Sequence, residues 1–294
     1  LLALNVGVFV EIPLDDAQLG DRKIPLSAWA HRGEEDRAAY AFGRTPKMVE
    51  FFSELFGYDY PWDKYDQVVL RNFSGAMETT TMVGFQESHL KTPDDPVDDT
   101  PYYDAAAPIW TYEDTISHEL AHHWFGDLVT CRSLASIFLN ESFASYSHTV
   151  WNGHINGEDD LTYQRWLYLD KYLNFVAETG TVRPLEYFRY DASGDMYTQP
   201  ITYVKGALVL HMLRQIMGDR SFYRGISHYL HSNEFSEVDS YDFQRAMEES
   251  SGMNLNAFFE DWIRGGGGFP DIRVSSQWSE QRKHLDLSLE QVQA

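Results

Sequence analysis

The segment His118-Glu119-Leu120-Ala121-His122 constrains this chain more than any other. On an α-helix, residues four apart differ by about 40° around the axis, so His118 and His122 point the same way with Glu119 beside them. Ile116, Leu120 and Trp124 give the segment an apolar periodicity, which predicts a helix buried on at least one side. Buried imidazoles need partners, and a metal ion is the natural one. His123 lies well around the helix and is not counted as a ligand. A catalytic zinc takes three protein ligands and keeps one position for water, so a third group must come from a neighbouring element. Glu141, in Leu139-Asn140-Glu141-Ser142-Phe143-Ala144 at the start of the next expected helix, follows His122 after 18 intervening residues. That interval suits a helix end, a connecting segment and an antiparallel return. Asp127, on the same helix end, is the competitor. One Zn2+ per chain is the expected cofactor, with Glu119 free to act as a base.

Composition narrows the classes of function. A chain of 294 residues has room for one large domain or two, and 43% hydrophobic residues exclude a disordered or collagen-like chain. Aromatic residues reach 15%, which predicts a large packed core. The formal charge of -22 repels phosphate backbones and anionic headgroups, so no nucleic-acid partner and no polybasic membrane docking are expected. No apolar run approaches the roughly 20 residues that a membrane-spanning helix requires. Cys131 is the single cysteine, which excludes an internal disulfide or a Cys-rich zinc module; it reads as a small buried hydrophobe. The opening Leu1-Leu2-Ala3-Leu4, without an initiator Met, reads as a strand already inside a structure and therefore as part of a longer protein.

Along the chain, strands are expected over Ala3–Ile12 and Ile24–Ala30 around a turn-rich stretch at Asp15–Asp21, followed by one helix over Glu34–Phe56 that Gly57 stops. Gln67–Arg71 and Thr79–Phe85 read as short strands, and Thr92–Thr100 as a solvent loop. Helical signals cover residues 112–125, 137–153, 158–177, 201–217, 219–232, 240–251 and 254–264. Gly265-Gly266-Gly267-Gly268 reads as a linker, and Asp271–Trp278 and His284–Leu289 alternate like strands.

The spacing of His118, Glu119, His122 and Glu141 is that of the gluzincins, and the surrounding words resemble the M1 aminopeptidase family, to which aminopeptidase N and leukotriene A4 hydrolase belong. Gly75-Ala76-Met77-Glu78-Thr79 resembles the family's GAMEN exopeptidase motif. Leu139–Ala144 resembles LNEGFA, and Tyr203-Val204-Lys205-Gly206 resembles the YxKG that carries the catalytic tyrosine. Four motifs in the family's order span Gly75 to Gly206. The likeness implies an α+β fold: a thermolysin-like catalytic domain, mainly helical with a small mixed sheet, flanked by β-strand segments of neighbouring domains. Residues 1–23 would end an N-terminal β-domain, residues 24–264 would form the zinc peptidase domain, and residues 265–294 would be a Gly-rich linker and the start of a β-sandwich. Thr79 stands where the family has Asn, Ser142 where it usually has Gly, and Phe138 near a position often held by Trp.

The resemblance implies a metallo-aminopeptidase acting on peptides with a free N-terminus. His118, His122 and Glu141 would hold zinc, which lowers the pKa of a bound water towards about 7. Glu119 would take that water's proton and pass it to the leaving amine. Tyr203, at a helix start, can donate to a developing oxyanion; its alternative is core packing. Glu78 would pair with the cationic α-amine, and Gly75, Ala76 and Met77 would lie along the bound backbone, Gly75 and Ala76 lacking bulk. Lys205 reads as capping or pairing with a carboxylate, and His148 and His211 as core or supporting residues. The rival readings are an endopeptidase gluzincin, a relative that opens a lipid epoxide, and a catalytically silent scaffold of the same fold.

Overall fold

A computed structural model describes residues 3–95, 112–266 and 268–292. Its first part is a five-stranded mixed sheet. β1 (Val10–Pro13) runs antiparallel to β4 (Leu26–Ala30), and a small hairpin of β2 (Ala17–Leu19) and β3 (Arg22–Ile24) lies between them in sequence. β5 (Tyr65–Leu70) and β7 (Met82–Gln86) extend the sheet in parallel with β4, and the two-residue β6 (Ala76–Met77) closes it antiparallel to β7. The order is β1-β4-β5-β7-β6, so β6 is an edge. β5 is buried from Tyr65 to Val69, as befits a central parallel strand covered on both faces.

Two helices follow β4. α1 (Glu35–Phe42) and α2 (Thr45–Phe56) replace the single helix expected over Glu34–Phe56. The reason is Pro46: its ring would strike the carbonyl of residue 42 in a continuous helix, so α1 stops at Phe42 and Pro46 sits in the first turn of α2. α2 ends at Gly57, whose φ of 59° supplies the left-handed cap.

The helical half consists of α3 (Glu113–Ala121), α4 (Phe138–Asn156), α5 (Glu158–Thr179), α6 (Gly206–Met217), α7 (Asp219–Ser232), α8 (Ser240–Ser251) and the one-turn α9 (Asn256–Phe259). α4 is its axis: every residue from Phe138 to Asn152 is buried. A chain of aromatic rings joins α2, the turn after α3, α4 and α8. Phe56 meets Trp124 at 5.3 Å and Phe125 at 5.1 Å between ring centres; Phe125 stacks on Phe143 at 4.4 Å, and Phe143 meets Phe243 at 5.1 Å. Such rings account for the high aromatic content, each burying a large apolar area in a fixed geometry. Short parallel strands β8 (Val129–Cys131) and β9 (Ser236–Val238) tie the segment after α3 to the one before α8.

Several boundaries differ from the expectation. Among the described residues, strand pairing at the start is confined to β1, and Leu4, Val6 and Val8 face solvent. β1 and β4, on either side of residue 24, pair in one sheet. The turn-rich stretch supplies β2 and the turn of the β2–β3 hairpin, tipped by Gly20 at φ 60°. Strand Thr79–Phe85 begins only at Met82, because Thr79 to Thr81 form a tight turn in which Met82 N–H donates to Thr79 O. Part of the expected loop, from residue 96 on, lies outside the described residues. The final pair, β10 (Ile272–Ser279) and β11 (His284–Gln291), is an antiparallel hairpin as expected.

The helix expected over 201–217 opens with a π-helical turn, Pro200–Lys205, before α6. Gly206 N–H there reaches back to Ile201 O, the wider spacing that defines a π-turn. α6 crosses α4 where Gly206 faces Ser142: a Cβ on Gly206 would stand 1.9 Å from Ser142 Oγ. Ser142 Oγ–H donates to Thr202 O at 2.6 Å, tying α4 to the π-turn. Gly206→Ala should therefore cost about 1–3 kcal/mol by overpacking, and adding Ser142→Gly should recover most of it. Thermal melting of the two variants checks this; a Gly206→Ala protein that melts like the parent contradicts the close approach.

Candidate active site

The active-site cleft lies between the sheet edge and the helices. α3 carries His118 and Glu119, and the helical register persists through His122, whose N–H donates to His118 O at 3.3 Å. α3 packs on α4, which presents Glu141 in its first turn, where the helix dipole favours a carboxylate. His118 Nε2, His122 Nε2 and Glu141 Oε2 form a nearly equilateral triangle: 3.2 Å between the two nitrogens, 3.3 Å from His118 to Glu141, and 3.2 Å from His122 to Glu141. Ligands about 2.0–2.1 Å from a tetrahedral zinc stand about 3.3–3.4 Å apart, so the triangle has the size of one face of such a site. His122 Nδ1–H donates to Phe125 O at 3.0 Å, which fixes the tautomer and leaves Nε2 free for a metal. Burial opposes charge on both groups of the pair. Even so, His122 and His118 hold the Glu141 carboxyl well below its usual range, and Glu141 raises His122 well above its own. Glu78, Glu119 and His122 form a second convergence, with one ligand atom each within 4.8 Å of the others.

The cleft encloses about 530 Å³ open to solvent. Ala76, Met77 and Glu78, at the sheet edge, and Tyr203 and Tyr197, from the segment before α6, are among its lining residues. Tyr203 is buried in the π-turn, its ring parallel to His118 at 5.9 Å between centres. All the site residues expected from the sequence except Gly75 line this cleft: His118, Glu119, His122, Glu141, Tyr203, Ala76, Met77 and Glu78. Gly75 lies just outside, at φ 78°; its N–H takes Gln86 Oε1 and its carbonyl accepts from Gln86 N–H, which fixes the start of β6. Tyr197 was not expected. It sits in a loop without periodic pattern, and its nearness to Tyr203 in sequence was the only signal; burial, with Glu141 and Glu78 nearby, pushes its phenol up to about 12.

The remaining candidates fall elsewhere. Asp127 belongs to neither metal-sized group among the described residues; burial pushes its carboxyl up to about 6, against a hydrogen bond from Thr80. His123 also stays out of both groups, as expected. Lys205 is buried and donates to Arg183 O at 3.0 Å; burial and the Arg183 charge bring it down to about 8. His148 meets Tyr168 Oη at 2.8 Å, and His211 lies against Arg165 at 2.9 Å. Cys131 is half-buried, and burial raises its thiol to about 11.

An HExxH helix whose two histidines meet a glutamate from the following helix is the arrangement of the gluzincin class. The sequence profile of the peptidase family M1 domain matches residues 40–262, and the chain belongs to that family. It is 27% identical over 289 residues to a probable aminopeptidase 2 of Sulfurisphaera tokodaii, covering 95% of this chain and 34% of that protein. It is 30% identical over 292 residues to an aminopeptidase N of Haemonchus contortus, covering 94% of this chain and 28% of that protein. The chain thus spans about a third or less of the length of these relatives. Among solved structures, aminopeptidase A of Legionella pneumophila, in complex with aspartic acid, superposes with a TM-score of 0.78 at 18% identity, covering 97% of this chain and 31% of that one. An M1 zinc metallopeptidase of Deinococcus radiodurans gives 0.70 at 23% identity, covering 90% and 54%. These likenesses establish the expected fold, a mainly helical peptidase domain with a small mixed sheet.

A metal that binds the native triangle and not the unfolded chain raises the melting temperature. One equivalent of Zn2+ added to metal-stripped protein should therefore stabilise it, and His118→Ala should abolish the shift. An equal shift in both proteins would put the metal elsewhere.

Proposed function

We propose that this chain is the catalytic part of a zinc aminopeptidase that removes N-terminal residues from peptides. Residues 24–264 would be the peptidase domain, joined through β1 to the end of an N-terminal β-domain and followed by a linker and the start of a β-sandwich. The observation that carries the reading is the placement of Glu78 in one cleft with the His118, His122 and Glu141 triangle. A carboxylate there is an anchor for a cationic α-amine, and an anchor so near the metal leaves room for little more than one residue before the scissile bond. The names of the relatives, aminopeptidases throughout those cited, point the same way.

In this reading His118, His122 and Glu141 would hold the zinc, which when bound would supply a Lewis acid and a water of lowered pKa. Glu119 does not ligate; its carboxylate accepts a proton from the attacking water and returns it to the departing amine. Tyr203, held against His118 by the π-turn, donates its O–H to the oxygen that gains charge as the carbonyl is attacked. Glu78 pairs with the α-amine and fixes which bond lies over the reacting groups. The outer edge of β6 offers backbone groups to which an extended substrate can add as a further strand, with Ala76 presenting little bulk and Gly75 setting the turn before it.

Glu119→Gln should keep stoichiometric zinc and lose turnover of an aminoacyl-anilide, whereas Glu141→Ala should lose most of the metal. Near-normal activity in the zinc-loaded Gln variant would overturn the mechanism. Tyr203→Phe should lower kcat by about 10²-fold or more with a smaller change in KM, by analogy with deleting one oxyanion donor. An unchanged kcat would return Tyr203 to core packing. Acetylating the α-amine removes the charge that Glu78 recognises, so an acetylated peptide should be cut poorly; equal cleavage of free and acetylated peptides would make the enzyme an endopeptidase.

A further inference from the structure

The loop that follows Glu78 is strained. Thr81 has φ 65°, a left-handed conformation that a β-branched side chain adopts only when its surroundings impose it. Those surroundings are the turn that follows the HExxH helix. Thr81 N–H donates to His123 Nε2 at 3.2 Å. Since that nitrogen accepts, the proton of the neutral ring is on Nδ1, which lies 3.3 Å from Glu119 O and donates to it. His123 is completely buried, with Tyr65 at 4.9 Å and Tyr60 at 5.6 Å between ring centres, so it has no freedom to swing away. Beside it, the side chain of Thr80 is hydrogen-bonded to Asp127, and Asp127 N–H donates to His122 O at 2.9 Å. On the far side, Asp66 N–H takes Thr81 O at 2.9 Å and ties the loop to β5.

We infer that His123 is a positioning residue for substrate recognition: it clamps the Glu78 loop, through Thr81 N–H, to the backbone of the helix that carries Glu119 and the metal-binding histidines. One imidazole bridges the two arms of the cleft. It thereby sets the separation between the amine anchor and the metal, the quantity that decides which peptide bond is presented. The strain at Thr81 is the counterpart of that clamp, since a relaxed turn would carry Glu78 to another place. This inference rests on the reading of Glu78 as the amine anchor.

Calorimetric titration of the zinc-loaded chain with leucine and with N-acetyl-leucine separates the two readings. Wild type should prefer the free amine; equal binding of the two would sink the anchor role of Glu78 itself. His123→Leu removes the acceptor and should weaken leucine at least ten-fold while leaving N-acetyl-leucine and the zinc content unchanged. His123→Gln, whose side-chain oxygen can accept from Thr81 N–H, should restore leucine binding to within about three-fold. Thr81→Gly keeps the N–H donor and adopts the left-handed conformation without strain, so it should raise the melting temperature and hold leucine within about three-fold of wild type. Thr81→Pro removes the donor from the other side and leaves His123 in place, so it should weaken leucine at least ten-fold and spare N-acetyl-leucine. Wild-type preference retained in both His123→Leu and Thr81→Pro would overturn the inference. So would a loss shared equally by the two ligands. If His123→Leu loses its zinc, Thr81→Pro alone decides.

Discussion

Everything in this molecule is arranged around three lone-pair donors held about 3.2–3.3 Å apart inside a protein. Two imidazoles and a carboxylate taken out of water lose solvation that only close partners can replace, and a buried carboxylate without them is costly. The arrangement therefore needs two helices that cannot drift. α3 ends in a tightened turn locked by Phe125, and the Phe56, Phe125, Phe143 and Phe243 rings join that turn to α2, α4 and α8. The aromatic core is the frame on which the triangle keeps its size.

The two halves of the fold contribute differently to the cleft. The helices supply His118, Glu119, His122 and Glu141, all of them buried. The sheet supplies Glu78 from the short turn after an edge strand, where backbone remains open to a ligand. Tyr203 comes from neither a regular helix nor a strand but from a π-turn, whose extra residue per turn re-aims a side chain that a plain α-helix would direct elsewhere.

Much of this was legible in the sequence because the relevant signals are local. His118 and His122 share a face by helical period, and Glu141 opens the next helix at an interval that permits return. What escaped depends on contacts between distant segments. β6 is two residues long and exists only because β7 lies beside it. The π-turn forms where Gly206 passes close to Ser142, and no periodicity announces it. The break between α1 and α2 was readable from Pro46 and the apolar pattern concealed it. The angle of His123 on the helix excludes it as a ligand, but its partner Thr81 lies 42 residues away in the chain, beyond the reach of any local pattern. Tyr197 had no pattern to give it away.

The passage of Gly206 under Ser142 also orders the substitutions this pair can undergo. A side chain at position 142 is tolerated because position 206 has none, and the hydroxyl then gains the Thr202 carbonyl as a partner. A lineage starting from two glycines can acquire serine at 142 in a single step. Alanine at 206 afterwards would cost about 1–3 kcal/mol unless the serine were lost first, since the intermediate would crowd two groups into one volume. The two positions should therefore vary as a dependent pair across related sequences, and the history of one restricts the future of the other although neither lines the cleft that holds the triangle.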